Sequence, residues 1–86
     1  MIVRLPSLLD SYTGGTRQLE AEGATVGEVL AELERRYPGL RFRVIDEQDR
    51  IRTHIKIFVG DGLARSLEHP IGPGEALQIV GALSGG

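Results

Sequence analysis

Apolar and polar positions follow two rhythms along this chain, and the elements it predicts can be drawn from the contrast. Residues 1–6, MIVRLP, alternate β-branched and apolar residues and stop at Pro6, which predicts an opening strand. Residues 16–23, TRQLEAEG, alternate again, with Arg17, Leu19 and Ala21 on one side and Thr16, Gln18 and Glu20 on the other. They predict a second strand, antiparallel to the first. Between them SLLDSYTGG reads as a loop closed by a turn at Gly14-Gly15.

The rhythm then changes. In ATVGEVLAELERRYPGL the apolar residues Val26, Val29, Leu30, Leu33 and Tyr37 recur at helical spacing. Thr25 followed by Glu28 forms a capping box at the helix start, and Pro38-Gly39 marks its end. Acids come early in this helix and bases late, as the helix dipole favours. Gly27 is the exception, at about 1 kcal/mol against alanine inside a helix, which the cap can offset.

Beyond the helix, RFRVIDEQDRIRT reads as a short extended piece and then a turn around Asp46–Asp49. HIKIFVG is a strong strand, with Ile55, Ile57 and Val59 on one face and His54, Lys56 and Phe58 on the other. DGLARSLEHPIGPGE reads as loop, with a short strand or single turn near Leu63–Leu67, and ALQIV is the last strand. One helix covers only one face of a sheet, so the pattern predicts an α+β domain with a mixed, mostly antiparallel sheet and one wet face. The predicted core is Val3, Leu5, Leu19, Val26, Val29, Leu30, Leu33, Ile55, Ile57, Leu77 and Ile79.

At 86 residues the chain makes one small domain. A net charge of −2, without a basic stripe interleaved with aromatics, argues against nucleic acid and anionic membrane as partners. No apolar run reaches membrane-spanning length, and the start lacks the features of a signal peptide, which makes the cytoplasm the expected location. The chain has no cysteine, so a thiol nucleophile, a disulfide and a thiolate metal site are excluded. His54 and His69 lack a partner at ligand spacing, and Asp46, Glu47 and Asp49 lack a calcium-loop spacing, so no metal site is expected.

The order of elements, the HPIGPGEALQI run and the Gly-Gly that follows it resemble the ubiquitin-like β-grasp fold, and more closely the ThiS/MoaD sulfur-carrier family. The resemblance spans nearly the whole chain. LPSLLDSYTGG, GATVGEVLAELERRYPGL, IKIFVGD and LEHPIGPGEALQIV carry it with the final GG. The tail GALSGG departs from the Pro-Val-Ala-Gly-Gly-like tail of many relatives and gives a looser approach. The fold implied is a mixed sheet of four to five strands on one central helix, with a domain at 1–80 and a flexible tail at 81–86.

The resemblance also implies a protein that is not an enzyme. An ATP-using activating enzyme, related to ubiquitin-activating enzymes, would adenylate the carboxylate of Gly86. A sulfur donor would convert it to a thiocarboxylate, and a synthase would consume the sulfur. The carrier itself would bind no cofactor; ATP belongs to the activating partner. Gly85 and Gly86 suit this chemistry because they lack a Cβ and leave the reacting carbonyl open. Ala82 and Ser84 are small enough for the same passage, and Leu83 is expected to anchor the tail in an apolar pocket of the partner. By strand parity Phe58 and Val80 point to the wet sheet face beside Lys56, Arg4 and Gln78, an expected docking patch. Cysteine and molybdopterin synthesis fit the chain's length better than thiamine thiazole synthesis. The rival readings are a ubiquitin-like modifier joined to lysines through Gly86, and a β-grasp interaction domain with an inert tail.

Overall fold

The structure, a computed structural model, describes residues 1–81. The elements run β1 (Ile2–Arg4), a 3-10 turn (Ser7–Leu9), α1 (Asp10–Thr13), β2 (Gln18–Glu20), α2 (Val26–Arg36), α3 (Leu40–Val44), β3 (Ile55–Val59), β4 (Gly62–Ala64) and β5 (Leu77–Gly81). Five strands form one mixed sheet in the order β2-β1-β5-β3-β4. β1 and β5 are parallel, and the other pairs are antiparallel. This is the β-grasp arrangement expected from the sequence, with the last strand at its centre.

Period-two alternation sends one set of side chains from each strand to the same side. Val3 lies opposite both Leu19 and Leu77, and Leu77 lies opposite Val59. Ile57 joins Ile79 to Ala64 in a second row. The stripe of α2 (Val26, Val29, Leu30, Leu33) is fully buried with them. Burying each such side chain contributes about 1.5–3 kcal/mol before chain entropy is set against it. Leu19, expected in the core, sits on the edge strand β2 and is only half-buried.

α2 begins with every first-turn donor satisfied. The Thr25 hydroxyl accepts from Glu28 N–H at 3.2 Å, as the capping box predicts. Glu28 Oε1 reaches back one residue further than expected, to Ala24 N–H at 2.8 Å. Val26 N–H donates to His69 O and Gly27 N–H to Leu67 O. The 67–70 segment therefore lies across the helix start. A Cβ on Gly27 would stand 3.3 Å from Leu67 Cβ and from its carbonyl oxygen, so this glycine admits the close approach.

Two segments correct the sequence reading. SLLDSYTGG, expected as loop, is helical from Ser7 to Thr13, because Leu9 and Thr13, one helical turn apart, both turn into the core. Gly14 then ends α1 in a left-handed conformation, φ 66°. RFRVI, expected as extended, is mostly α3, where Leu40 and Val44 are again a turn apart and fully buried. The Glu34 carboxylate caps α3 by accepting from Gly39 and Arg41 N–H at 2.9 Å each. The core accordingly also contains Leu9, Leu40, Val44, Ile45, Val59 and Ala64. The turn around Asp46–Asp49 is present, with Asp46 Oδ1 accepting from Gln48 and Arg50 N–H.

Candidate docking face and tail exit

The sheet face opposite the helices carries one row that crosses all five strands: Gln18, Arg4, Gln78, Phe58 and Leu63. In the neighbouring row Lys56 lies opposite Val80. Phe58 and Val80 are thus diagonal neighbours, a spacing an aromatic side chain bridges. Both are half-buried, while Arg4, Lys56 and Gln78 are exposed. The structure therefore brings together the five body residues expected in the docking patch, Phe58, Val80, Lys56, Arg4 and Gln78. It adds one the sequence reading missed, Leu63, directly across from Phe58 and 36% exposed. The signal is the apolar residue in DGLAR, which a reading as loop with a short strand or single turn near Leu63–Leu67 assigns to no face.

Among the described residues no group of three His, Cys, Asp or Glu side chains could hold a metal ion. The displaced carboxylates lie elsewhere and serve structure. Glu34 is held below the usual carboxylate range by the N–H groups of Gly39 and Arg41, and Asp46 chiefly by that of Arg50. Asp10 is lowered by its paired hydrogen bonds from Arg17, and Glu32 by Arg35 and Arg36. Arg4 and Lys56 make no ion pair among the described residues, which leaves their charges available to a partner.

β5 extends one residue past the boundary drawn at 80, and Gly81 pairs with Ile55. By parity Gly81 faces the helical side, where Leu8 of the 3-10 turn occupies the space a side chain would fill. A Cβ built there overlaps Leu8 Cδ2 outright and stands 3.0 Å from Leu8 Cγ and 3.8 Å from Pro6 Cβ. The chain thus leaves the sheet under Leu8 and beside the start of β3. Ala82, Leu83, Ser84, Gly85 and Gly86 lie outside the described residues.

A five-stranded mixed sheet in this order, with its helices on one face and the other face open, is the ubiquitin-like β-grasp fold. The ThiS family model matches residues 3–86, and the chain belongs to that family, the ThiS/MoaD-like sulfur carriers that its sequence resembles. It is similar to the sulfur carrier protein CysO of Mycobacterium tuberculosis, 33% identical over 89 residues that cover 98% of this chain and 96% of that protein. Among solved structures it is similar to the Amycolatopsis orientalis BexX/CysO complex, with TM-score 0.88 and 33% identity over 99% of this chain and 98% of the matched one. The small archaeal modifier protein 1 of Methanosarcina acetivorans follows at TM-score 0.79 and 26% identity, covering 99% of this chain and 94% of that one. No helix among the described residues is long and apolar enough to cross a membrane.

Proposed function

We propose that this carrier holds sulfur as a thiocarboxylate at Gly86 and delivers it, in the cytoplasm, to a cysteine-forming synthase. The observation that carries the reading is the family match running through residue 86, so that the Gly-Gly pair is part of the shared pattern. The CysO relatives favour cysteine over molybdopterin or thiazole as the destination. The BexX/CysO complex supports a life spent docked on other proteins.

The chemistry follows from the carboxyl group. A terminal carboxylate, with a pKa of about 3.3–3.7, is ionised at neutral pH and repels nucleophiles. Attack of its oxygen on the α-phosphorus of ATP, in the activating enzyme, forms an acyl-adenylate and releases pyrophosphate. A hydrosulfide equivalent then attacks the acyl carbon and AMP departs, leaving a thiocarboxylate that is nucleophilic at neutral pH. The fold supplies delivery: Phe58, Val80, Lys56 and Arg4 dock the body while Ala82, Leu83 and Ser84 follow Gly85-Gly86 into the partner. The binding surface has to offset the entropy of ordering that tail.

Deleting Gly85 and Gly86 tests the reading. The truncated protein should melt at the wild-type temperature and fail to gain the mass of one sulfur-for-oxygen exchange when made with its activating enzyme. Thiolation of the truncated chain would refute the proposal. The likeness to small archaeal modifier protein 1 favours a second reading, conjugation to lysines through Gly86. It would show instead as heavier species that survive denaturant.

A further inference from the structure

The chain has ten lysines and arginines, of which Arg17, Arg35, Arg36, Arg41 and Arg50 pair with carboxylates. Of those outside the ion pairs among the described residues, Arg4 sits mid-sheet and the other four gather at one corner. Two adjoining recesses define that corner. Phe42, Arg43, Arg52 and His54 line the first. Arg52 also lines the second, with Lys56, Leu63 and Arg65. The exposed large hydrophobic side chains among the described residues are Phe42, at 56%, and Leu63, at 36%, and both fall here.

The corner is built and not merely crowded with charge. Arg52 Nε donates to the Phe42 carbonyl at 2.8 Å, and its guanidinium lies 4.6 Å from the Phe42 ring centroid. Both contacts hold the ring and the cation in place on the surface. Its location is the telling feature. Ile55 pairs with Gly81 and Lys56 with Val80, so the corner flanks the point where β5 ends. The residues 82–86 can span at most about 17 Å when fully extended. Any enzyme that admits Gly86 must therefore bring the rim of its active-site mouth close to this corner.

We propose that the corner formed by Phe42, Arg43, Arg52, His54, Leu63 and Arg65 is a second contact surface, which receives an acidic rim at the mouth of the activating enzyme. The inference rests on the reading of Gly86 as the group that is activated. Arg43, Arg52, Lys56 and Arg65 form no ion pair among the described residues, and on a chain of net charge −2 this cluster of cations marks a surface completed by a partner's carboxylates. The net negative charge disfavours a nucleic acid in that place. Activation is the encounter that needs this attraction most, because it brings the Gly86 carboxylate against the triphosphate of ATP.

The test uses the full chain with Arg43→Glu and Arg65→Glu together, since neither side chain makes a hydrogen bond or ion pair among the described residues. The probes are the purified activating enzyme and the sulfur-accepting synthase, each titrated at low and at physiological salt. Comparators are Phe58→Asp on the sheet face and Arg35→Glu, a single charge reversal on α2. Affinity of the double variant for the activating enzyme should fall about 10–100-fold at low salt, mainly through the association rate, with a flatter salt dependence. Arg35→Glu should bind as wild type, and the neutral pair R43Q/R65Q should lose less than the reversed pair. Wild-type binding by R43E/R65E beside failed binding by F58D would overturn the acidic rim and leave sheet-face docking standing. A loss confined to the synthase would also overturn it. Wild-type binding by both variants would bring down the docking reading itself.

Discussion

Alanine at Gly81 is a sharp test of how the tail leaves the body, because its sign depends on one neighbour. Glycine within a strand ordinarily weakens it by about 0.5–1 kcal/mol relative to alanine, so Gly81→Ala taken alone should stabilise. In the structure the new Cβ would overlap Leu8 Cδ2 and meet Cγ at 3.0 Å. Leu8 must then rotate or move, and overpacking of this kind costs about 1–3 kcal/mol. The clash outweighs the propensity gain, so G81A should lose about 1 kcal/mol net, a fall on the order of 5 °C in Tm. Leu8→Ala gives up part of a half-buried side chain, about 1–2 kcal/mol. In that background the clash is gone, and G81A should become neutral or stabilising. Urea and thermal melts of both single variants and the double close the cycle, and coupling of about 1–2 kcal/mol is expected. Additivity within about 0.5 kcal/mol would refute the claim that Leu8 is what excludes a side chain at the strand's end.

Two further predictions concern the helical segments that the sequence pattern reads as loop and as extended chain. Leu9→Ala should cost about 2–5 kcal/mol by chemical denaturation, whereas an equivalent change in a surface loop would sit within about 0.5 kcal/mol. Glu34→Ala should lower stability at neutral pH by removing both caps from α3. Because the Glu34 pKa is lowered in the fold from 4.5, its contribution is present above that value and fades as pH falls through the lower folded one. Melts of wild type and E34A should therefore converge in acid, and a gap that widens there would contradict the capping role.

What was legible in the sequence was whatever repeated. The stripe Val26, Val29, Leu30, Leu33 announced α2, and the alternation of Ile55, Ile57 and Val59 announced β3, because each has enough residues to show its period. Strand parity then placed Phe58, Val80, Lys56 and Arg4 on one face without coordinates. α1 and α3 have four and five residues, and they turn inward only Thr13, paired with Leu9 of the preceding 3-10 turn, and Leu40 with Val44. Two points do not establish a period, and both helices are held by the core and not by propensity. Leu63 was lost for the same reason, since β4 has three residues and is defined by pairing with β3. The corner cations were visible as letters, but Arg43 and Arg65 stand far apart in the chain, and only α3 and the β3–β4 hairpin bring them to adjoining recesses.

The position of β5 has a consequence for synthesis. It is the last element among the described residues, yet it hydrogen-bonds to β1 on one side and β3 on the other. A nascent chain on the ribosome can form the β1–β2 hairpin, α2 and the β3–β4 pair, but these remain halves of a sheet with no centre. Loop-closure entropy is met in full only when Leu77 finds Val3. The body therefore becomes rigid only once the residues next to Gly85 and Gly86 have been made, so a partly synthesised chain offers a partner no folded surface to dock on.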